Sequence, residues 1–520
     1  MALLMLTTLD IVAGLATLTL VAIIYARQLS SRKYPPLPGP PGLPIIGNLL
    51  DIPTPQNNAW KRYLEWGKKY NTDAVQFSAL GMNIVVLNTV ECCMELFEKR
   101  SSIYSDRPQL VMINELCSFS YGTAFLPYND VWRDQRKAFH LEFHPTAVQK
   151  YRPPQIAAVN QFLCQMLDKP EGFLEHNRFF AGVIIMKVAY GIDVKDEDDP
   201  YIGIGEEGAA VISRTIQPGA FLVDVIPLLK YIPEWVPGAT FKRLGREWSI
   251  AALNMLNTPF EAFKKFASSG DTIDCVANSL VESFGKELDD PEYREFIIKA
   301  TLASMYAGGA DTTVSALGTF FLAMTLFPEV QKKAQEEIDR VVGTGRLPNF
   351  SDQSSLPYVE AVIREVSRWD PVLPTGVPHQ STEDDYFMGC FIPKGTLVIP
   401  NSCGMLHNEQ DYPDPFKFNP DRFLKEGKLN PSIRDPTTIT FGFGRRICPG
   451  RYLAKESLWL AVSNVLATFE INKSIGEDGK PITPNGEYTR GLLCHPKPFP
   501  CTIEVRSSDH ETLIKAALDS

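Results

Sequence analysis

The longest helical pattern lies in the second half of the chain. Between Pro291 and Pro328 there are 36 residues without proline, and the apolar positions at the centre predict one helix that crosses a whole domain. Gly308 and Gly309 lie near its middle, where adjacent glycines weaken the helix and permit a kink or bulge. A second, amphipathic helix is predicted over 328–342, because proline begins it and one apolar stripe follows. The stripe consists of Val330, Ala334, Ile338 and Val341.

Strand-like runs are short and scattered. They lie near 83–88, 395–400 and 501–505, where β-branched and other apolar residues favour extended backbone. No internal repeat or low-complexity run follows the first 50 residues. The patterns predict a mainly α fold with small β-sheets, in one large domain over 51–506, followed by a peripheral tail over 507–520.

The N-terminus carries an apolar run over 3–25, with Asp10 as its one charge. At about 1.5 Å per residue, a helix of this length reaches across a bilayer core. Basic residues follow the run at once and favour a cytosolic position for that flank: Arg27, Arg32 and Lys33. A retained membrane anchor over 1–26 is predicted. The alternative is a cleaved signal peptide, which is disfavoured by the length of the run and by the absence of basic residues before it.

A proline-rich segment separates the anchor from the globular domain. Residues 35–44 read Pro-Pro-Leu-Pro-Gly-Pro-Pro-Gly-Leu-Pro, a composition that blocks helix and favours a stiff, extended chain. We interpret 27–50 as a basic stop and a rigid hinge that holds the domain off the membrane. A generic linker or a ligand for a proline-binding domain is the alternative.

Composition and charge exclude several classes of protein. With 44% hydrophobic and 22% charged residues, the chain can bury a large core, which excludes wholesale disorder. A formal net charge of −10 makes nucleic-acid binding unfavourable, because that function needs a concentrated basic surface. The 10 cysteines include no Cys-x-x-Cys pair, so a cysteine-rich zinc or iron–sulfur site is disfavoured. A functional cysteine would act alone.

One cysteine lies in surroundings suited to chemistry. Residues 441–450 read Phe-Gly-Phe-Gly-Arg-Arg-Ile-Cys-Pro-Gly, and their glycines and proline predict a tight, irregular loop. Cys448 lies just before a predicted helix and near Arg446. Helix N-terminal amides and a neighbouring cation both favour a thiolate, which suits a metal ligand. The alternative is an ordinary buried core cysteine.

The spacing Phe-x-x-Gly-x-Arg-x-Cys-x-Gly resembles the haem loop of the cytochromes P450. The matching residues are Phe441, Gly444, Arg446, Cys448 and Gly450. Further motifs match in the family's order over residues 1 to about 506, including the anchor and proline-rich hinge typical of microsomal members. The resemblance implies the cytochrome P450 fold and a haem b whose axial ligand is the Cys448 thiolate.

Asp311 and Thr312 follow Gly308-Gly309-Ala310 in the long helix. The neighbours of Asp311 are apolar or small, so an unpaired carboxylate there would be costly. The resemblance implies that this stretch lies over the haem. Thr312 would then steady the bound oxygen, and Asp311 would help to relay protons to it. A solvated helix edge is the alternative.

Three charged residues match a structural triad of the family: Glu365, Arg368 and Arg422. The first two are three residues apart on a predicted helix, and Glu360 with Arg364 makes a competing pair. The resemblance selects the Glu365–Arg368 pair and implies that Arg422 joins it to hold the segment near the haem loop. Asp421 replaces the commoner glutamate, which does not affect the arginine.

Candidates for holding the haem propionates come from three segments. Trp132 and Arg136 match the family's Trp-x-x-x-Arg helix and share one helical face, although an ordinary amphipathic helix with a buried tryptophan is the alternative. His379 and Arg446 occupy positions that the resemblance assigns to the same task. The other six histidines show no pairing that indicates a ligand: His140, His144, His176, His407, His495 and His510.

The resemblance also implies a lipophilic substrate. The positions that would contact it are mostly apolar or small: Met305, Ala307, Gly308, Leu373, Thr375 and Leu492. Overall the chain is most similar to fungal members that hydroxylate secondary metabolites such as terpenoids or indoles. Oxidation of fatty acids or xenobiotics is the alternative within the same chemistry.

The resemblance implies a monooxygenase that uses O2 and electrons from an NADPH-dependent diflavin reductase, since the chain has no nucleotide-binding motif of its own. Arg445 and Arg451 are candidates for the docking surface of the reductase. The expected location is the endoplasmic reticulum membrane, with the catalytic domain cytosolic. Two alternatives remain open, an oxygen-independent isomerase or dehydratase and a non-catalytic haem- or lipid-binding membrane protein. Loss of the acid–alcohol pair is usual in the former, and Asp311-Thr312 is intact.

Overall fold

The computed structural model describes residues 34–53, 58–195, 199–216, 219–269, 274–285 and 287–518. The predicted anchor, 1–26, and the first part of the hinge lie outside these ranges. Within them, no single helix combines the length and apolar character needed to cross a bilayer, and one pair of consecutive helices, bent by 104°, meets that test jointly by length and composition.

Helices make up most of the described chain, as the sequence predicts. The longer ones are α1 (Ala59–Tyr70), α2 (Asp130–Phe143), α3 (Arg152–Asp168), α4 (Phe173–Tyr190), α5 (Pro200–Thr215), α6 (Thr240–Ser268), α7 (Val276–Phe284), α8 (Pro291–Leu326), α9 (Pro328–Val341), α10 (Pro357–Trp369), α11 (Arg451–Thr468) and α12 (Ser508–Leu518). Short α-helical turns cover Val90–Cys93, Ser101–Tyr104, Leu222–Val225, Ser402–Leu406 and Thr437–Thr440. Short 3₁₀ or π turns cover Met94–Lys99, Met112–Leu116, Ala147–Tyr151, Pro170–Gly172, Pro227–Tyr231, Phe350–Ser355, Pro420–Phe423 and Gly444–Arg446.

The strands form small sheets. They are β1 (Ala74–Ala79), β2 (Met82–Leu87), β3 (His379–Gln380), β4 (Asp385–Phe387), β5 (Cys390–Ile392), β6 (Leu397–Pro400), β7 (Leu424–Lys425), β8 (Lys428–Leu429), β9 (Phe469–Lys473) and β10 (Cys501–Val505). One sheet has the order β1-β2-β6-β3, and the other strands pair in twos. β2 and β6 run parallel, whereas β3 runs antiparallel to β6 and places His379 opposite Val398.

Helix α8 lies at the centre of the core. Asp290 accepts hydrogen bonds from the backbone N–H groups of Glu292 and Tyr293, which caps the start of the helix. The helix is α-helical throughout its 36 residues, so the two glycines near its middle do not interrupt it. It packs against α4, α5, α6 and α2 on its sides, and the turns from Val314 onward are largely buried.

The boundary of the second predicted helix is close to the observed one. Helix α9 covers Pro328–Val341, and three residues of the predicted stripe are buried: Val330, Ala334 and Ile338. Val341, placed on the same stripe from the sequence, is 37% exposed. The helix ends at this residue, so no further turn covers it.

The described part of the proline-rich segment does not stand off from the domain. Leu37 is buried, and its backbone N–H donates to the side-chain oxygen of Gln76 on β1 at 3.0 Å. A Cβ at Gly39 would lie 1.8 Å from the carbonyl oxygen of Gln76, so only glycine allows the segment to approach the strand so closely. Residues 34–50 therefore belong to the surface of the domain. The sequence alone predicts that the domain begins only at residue 51.

The C-terminal tail is also part of the packed structure. Helix α12 packs against α3, with His510 and Ile514 buried. Just before it, Arg506 donates two hydrogen bonds to Asp339 on α9, at 2.9 and 2.6 Å. The tail over 507–520, expected to be peripheral, therefore docks on the domain through its described residues, because His510 and Ile514, four residues apart, lie on one helical face.

Candidate functional site

The loop over 441–450 is held in its shape by glycine and by backbone hydrogen bonds. Gly442 and Gly444 both have positive φ, 76° and 57°, a region that residues with a Cβ rarely adopt. A Cβ at Gly444 would lie 2.0 Å from the carbonyl oxygen of Phe97. The N–H of Cys448 donates to the carbonyl of Phe441 at 2.8 Å. The loop thus closes on itself and fixes the position of Cys448.

Cys448 combines burial, which favours a thiol, with neighbouring groups that stabilise a thiolate. Burial raises the pKa of its thiol, whereas the N–H groups of Gly450 and Arg451 and the guanidinium groups of Arg136 and Arg451 favour the charged form. These N–H groups lie at the start of α11, which begins at Arg451. The sulfur faces donors and cations, and no carboxylate lies among these neighbours. Such surroundings suit ligation of a cation-bearing cofactor.

The described residues form no metal site made of side chains alone. Among the described residues, no group of three or more histidine, cysteine, aspartate or glutamate side chains could hold a metal ion. Ligands other than Cys448 would come from the cofactor itself, as in a porphyrin.

A buried cationic cluster forms beside the loop. We use this name for the arginines Arg107, Arg136 and Arg446 together with His379, the neutral imidazole beside them. Arg446 stacks its guanidinium 4.4 Å from the centre of the Trp132 ring, and the His379 ring stacks on Phe97 at 4.0 Å. Helix α2 positions Trp132 and Arg136, and the Asn129 side chain caps that helix by accepting from the N–H of Trp132.

The hydrogen bonds of the cationic cluster go to backbone carbonyls. Arg136 donates to Ile447 at 2.6 Å, and Arg446 donates to Ser105, Thr123 and Leu126. Arg107 donates to Val377 and Pro378 at 2.6 and 2.7 Å. Within the described part of the chain, none of the three arginines forms an ion pair.

The positive charges of this cluster are destabilised by burial and by mutual repulsion, and no carboxylate pairs with its arginines in the described part of the chain. Burial lowers the pKa of Arg107 and His379 well below their usual ranges, and the neighbouring arginines add to the effect. Burial likewise lowers the pKa of Arg446 to about 9, while Asp106 opposes that change. The Nε atom of Arg107 is buried without a hydrogen-bond partner. Buried cations and an orphaned donor fit the two carboxylates of a haem.

The middle of α8 faces open space. Residues 307–313 are only partly buried or exposed, although the turns on both sides of them are largely buried. A Cβ at Gly308 would meet no atom within 4 Å, whereas one at Gly309 would contact Ile185. The open side therefore lies at Gly308, where a flat cofactor and a substrate would find room. Thr312 donates to the carbonyl of Gly308 at 2.7 Å, so its hydroxyl lies along this side.

Asp311 has a partner that the sequence does not indicate. Its Oδ2 lies 3.0 Å from Nε2 of His495, and both side chains are partly buried, at 19% and 23% exposed. A carboxylate only accepts hydrogen bonds, so the imidazole donates through Nε2. Asp311 therefore avoids the cost that the sequence analysis expects for an unpaired carboxylate. Its partner is His495, for which the sequence indicates no pairing.

The predicted triad forms in the core. Arg368 contacts Glu365 at 2.7 and 2.9 Å, and Arg422 contacts Glu365 at 3.3 Å. The side chains of Glu365 and Arg368 are fully buried. The competing Glu360–Arg364 pair also exists, at 3.4 Å, but it is partly exposed. Arg368 and Arg422 both donate to the carbonyl of Lys417, so the triad holds the chain segment that precedes the haem loop.

The predicted substrate contacts lie in different environments. Met305 and Leu492 are buried, whereas Ala307, Leu373 and Thr375 are partly buried and Gly308 is exposed. A large cleft of about 890 Å³ opens elsewhere, at Asp311 and His495. None of the six predicted contact residues lines it.

Two residues of the site are not apparent from the sequence. No haem-binding role is predicted for Arg107 from the sequence, but its guanidinium belongs to the cationic cluster. His495 lies far along the chain from Asp311. Both contacts join residues more than 180 positions apart, and no periodicity or local spacing signals such a pairing.

Comparison with known proteins agrees with this geometry. A family model described as Cytochrome P450 matches residues 37–503. Cytochrome P450 monooxygenase 98 of Postia placenta is 41% identical over 497 residues, covering 95% of each chain. Cytochrome P450 monooxygenase ple1 of Rhodocybe pseudopiperita is 42% identical, covering 93% of this chain and 92% of the relative. The tryptamine 4-monooxygenase of Psilocybe cyanescens is 38% identical, covering 95% of this chain and 98% of the relative.

The match covers nearly the whole described chain, the relatives are named as monooxygenases, and the donor set around Cys448 fits a haem-thiolate site. The chain belongs to the cytochrome P450 family of monooxygenases.

Proposed function

We propose that this monooxygenase hydroxylates, or oxidises in a related way, a lipophilic small molecule of fungal secondary metabolism. The single observation that carries the proposal is the pairing of one donor-surrounded cysteine, Cys448, with a buried cluster of unpaired cations. When bound, haem supplies the activation of O2.

The residues around the haem would divide the work of holding it. Cys448 would ligate the iron, with Gly450 and Arg451 donating toward its sulfur. The propionates would be held by the cationic cluster and by Trp132. Phe441, Gly444 and Gly450 would shape the loop and leave room for the cofactor.

Asp311 and Thr312 would handle protons and position oxygen. The Thr312 hydroxyl lies on the open side of α8, where it would steady the oxygen atom by a hydrogen bond. Asp311 is its neighbour in the chain and carries the titratable group. The intact pair argues against an oxygen-independent isomerase or dehydratase, which has no need of protons delivered to oxygen.

The substrate would be a terpenoid or an indole. The positions that would contact it are mostly apolar or small, and one relative of similar length is named as a tryptamine 4-monooxygenase. Fatty acids and xenobiotics are the second class to test, because an apolar pocket accepts them equally well.

Electrons would come from a membrane-bound, NADPH-dependent diflavin reductase. Arg445 is exposed and Arg451 is partly exposed. Each lies three residues from Cys448 in the chain, which suits the docking of an acidic partner near the thiolate. The apolar N-terminus would anchor the protein in the endoplasmic reticulum membrane with the domain cytosolic. Removal of residues 1–26 should therefore move the protein out of the microsomal fraction.

The test is expression in yeast microsomes with a diflavin reductase, followed by mass spectrometry of terpene, indole and fatty-acid pools under ¹⁸O2. We expect one labelled oxygen atom in the product and consumption of NADPH that depends on the substrate. Thr312→Ala should keep the haem but form less product per NADPH. Absence of both NADPH consumption and labelled product across all pools would contradict the proposal and favour a non-catalytic haem or lipid binder.

A further inference from the structure

The turn over 487–497 packs along one face of helix α8. Asp311 contacts His495, Ser315 donates to the carbonyl of Cys494, and a Cβ at Gly318 would lie 3.1 Å from Pro496. Positions 311, 315 and 318 follow one face of the helix. Three consecutive residues of the turn therefore contact the same face of α8 over about two of its turns.

The turn also holds itself in one conformation. Thr489 accepts a hydrogen bond from the N–H of His495 through its hydroxyl, at 2.8 Å, and its own N–H donates to the carbonyl of His495 at 2.7 Å. The imidazole is thus fixed at its backbone and at Nε2. A group placed this firmly against the one carboxylate of the acid–alcohol pair has a defined geometry for proton transfer.

The other side of His495 faces the cleft of about 890 Å³. Helices α4 and α5 and the turn itself form its walls, and charged side chains of both signs line it: Glu175, Arg178, Lys195, Asp199, Glu206 and Arg214. Several of these residues are exposed, so the cleft opens to solvent. Apolar side chains such as Phe179, Ile202 and Leu493 share the walls, but the charged residues at the open side allow water to reach His495.

We propose that His495 is a positioning and proton-transferring residue that acts through Asp311. The inference rests on the proposed function, because it assigns a source to the protons that the oxygen chemistry consumes. A proton would pass from Nε2 of the imidazolium to Oδ2 of Asp311 and on toward the Thr312 side of α8. Water in the cleft would then return a proton to the imidazole.

The proton balance gives a test that needs no organic substrate. Two electrons and two protons convert O2 to hydrogen peroxide, whereas two further electrons and two further protons break the O–O bond and yield two water molecules. With NADPH, O2 and reductase alone, the split between peroxide and water reports proton delivery. Less delivery means more peroxide per NADPH.

The decisive variants are His495→Gln and His495→Ala. Glutamine keeps a donor toward Asp311 but cannot transfer a proton, and alanine removes both. General acid–base groups contribute about 10²–10⁴-fold, and water in the cleft offsets part of that loss, so we expect the rate of water formation to fall about tenfold in both variants. Added phosphate at constant ionic strength should restore it partly in His495→Ala, since the cleft admits small acids.

Ser315→Ala is the matched control. It removes the neighbouring contact between α8 and the turn, one helical turn from Asp311, without removing a titratable group. The split between peroxide and water should stay as in the wild-type protein, and phosphate should have no effect on it.

The contact itself can be checked without turnover. Diethyl pyrocarbonate modifies accessible imidazole nitrogens, and peptide mass spectrometry gives the rate at each histidine. Loss of one hydrogen bond should speed modification of His495 about fivefold in Asp311→Ala. The exposed His140 serves as the internal reference.

Three results would overturn the inference. The first is a ratio of peroxide to water that equals the wild-type ratio in both His495 variants. The second is a wild-type ratio in His495→Gln together with slower water formation in His495→Ala alone. The third is a rate of modification of His495 that is unchanged in Asp311→Ala. The second would reduce His495 to a purely structural role. Each variant is first checked for the spectrum of its reduced carbon monoxide complex. A missing haem-thiolate band in the wild-type protein would refute the proposed function, whereas a normal band with an unaltered split refutes only this inference.

Discussion

At the scale of single residues, the site depends on how a few buried charges are compensated. Cys448 is half-buried, and N–H groups and guanidinium groups lie around its sulfur. The cationic cluster has the opposite need, because its hydrogen bonds to carbonyls satisfy donors without neutralising charge. A cofactor that carries both a cationic centre and peripheral carboxylates satisfies the two sets together, which explains why they lie side by side.

Arg107 offers a test of the cationic cluster. Its guanidinium bridges the carbonyls of Val377 and Pro378 and leaves Nε without a partner. Arg107→Lys keeps the positive charge but loses the several N–H donors of the planar guanidinium. The affinity for haem should therefore fall about tenfold or more, as expected for the loss of hydrogen bonds to a charged group. The haem-to-protein ratio after gel filtration measures it.

The control for this prediction is Arg133→Lys, on the exposed side of α2, where the arginine pairs with Asp130. Its haem content should equal that of the wild-type protein. Equal haem content in Arg107→Lys would mean that the cluster does not hold the propionates.

Asp224 gives a pH-dependent test of stability. Burial raises the pKa of its carboxyl to about 6, although the N–H groups of Met112 and Val111 favour the charged form. The folded protein then keeps a proton that the unfolded chain loses between about pH 4 and 6, so stability falls as the pH rises through this window. Asp224→Asn removes the effect.

The free energy of unfolding of Asp224→Asn, relative to wild type, should thus increase by about 1–2 kcal/mol from about pH 5 to about pH 7.5. Urea unfolding at the two pH values measures this change. A difference between variant and wild type that does not vary with pH would show that Asp224 titrates normally.

At the scale of elements, local patterns predict what local forces determine. Helix α8 follows from a long stretch without proline, and β2, β6 and β10 overlap the three strand-like runs. The sequence also indicates the glycine-shaped loop, since positive φ has a strong residue preference. Motif resemblance supplies the Glu365–Arg368–Arg422 contacts, which the structure places in the core.

Contacts between distant elements are what the sequence leaves out. His495 lies in an irregular turn, and its position is determined by its contacts with Thr489 in that turn and with Asp311 on α8. The close approach of Gly39 to Gln76 is likewise visible only in three dimensions. Such contacts depend on the global packing, so neither periodicity nor spacing predicts them.

The haem loop offers a test at this scale through Gly444. Alanine there would place a Cβ in the left-handed region, at about 1–2 kcal/mol, and 2.0 Å from the Phe97 carbonyl. Because backbone must move to relieve that clash, Gly444→Ala should lower both the unfolding temperature and the haem content. Gly345→Ala, at an open position with no positive φ, should change neither. A normal haem content in Gly444→Ala would mean that the loop adapts freely.

At the scale of the whole molecule, both ends of the described chain contribute to the packed domain. Residues 34–50 lie on the sheet, and α12 covers α3. The hinge and tail predictions followed composition, which describes how a segment behaves alone. Packing against the domain changes that behaviour, because a few apolar residues on one face are enough to dock a short helix.

Ile514 tests how much the tail contributes. It is a fully buried residue of α12, so Ile514→Ala should destabilise the protein by about 2–4 kcal/mol. Leu518→Ala, in the same helix but 55% exposed, should have little effect. Thermal unfolding followed by circular dichroism distinguishes the two variants. Small and equal changes in the unfolding temperature of both would mean that the tail contributes little to the stability of the domain.

The most direct measurement is the absorption spectrum of the reduced protein with carbon monoxide, for wild type and for Cys448→Ser. The donor-surrounded sulfur of Cys448 leads us to expect the shifted Soret band of a haem-thiolate protein in the wild type and its loss in the variant, with Cys403→Ser, at a buried cysteine, unchanged. A colourless wild-type protein, or retention of the band in Cys448→Ser, would contradict ligation of the haem by this residue.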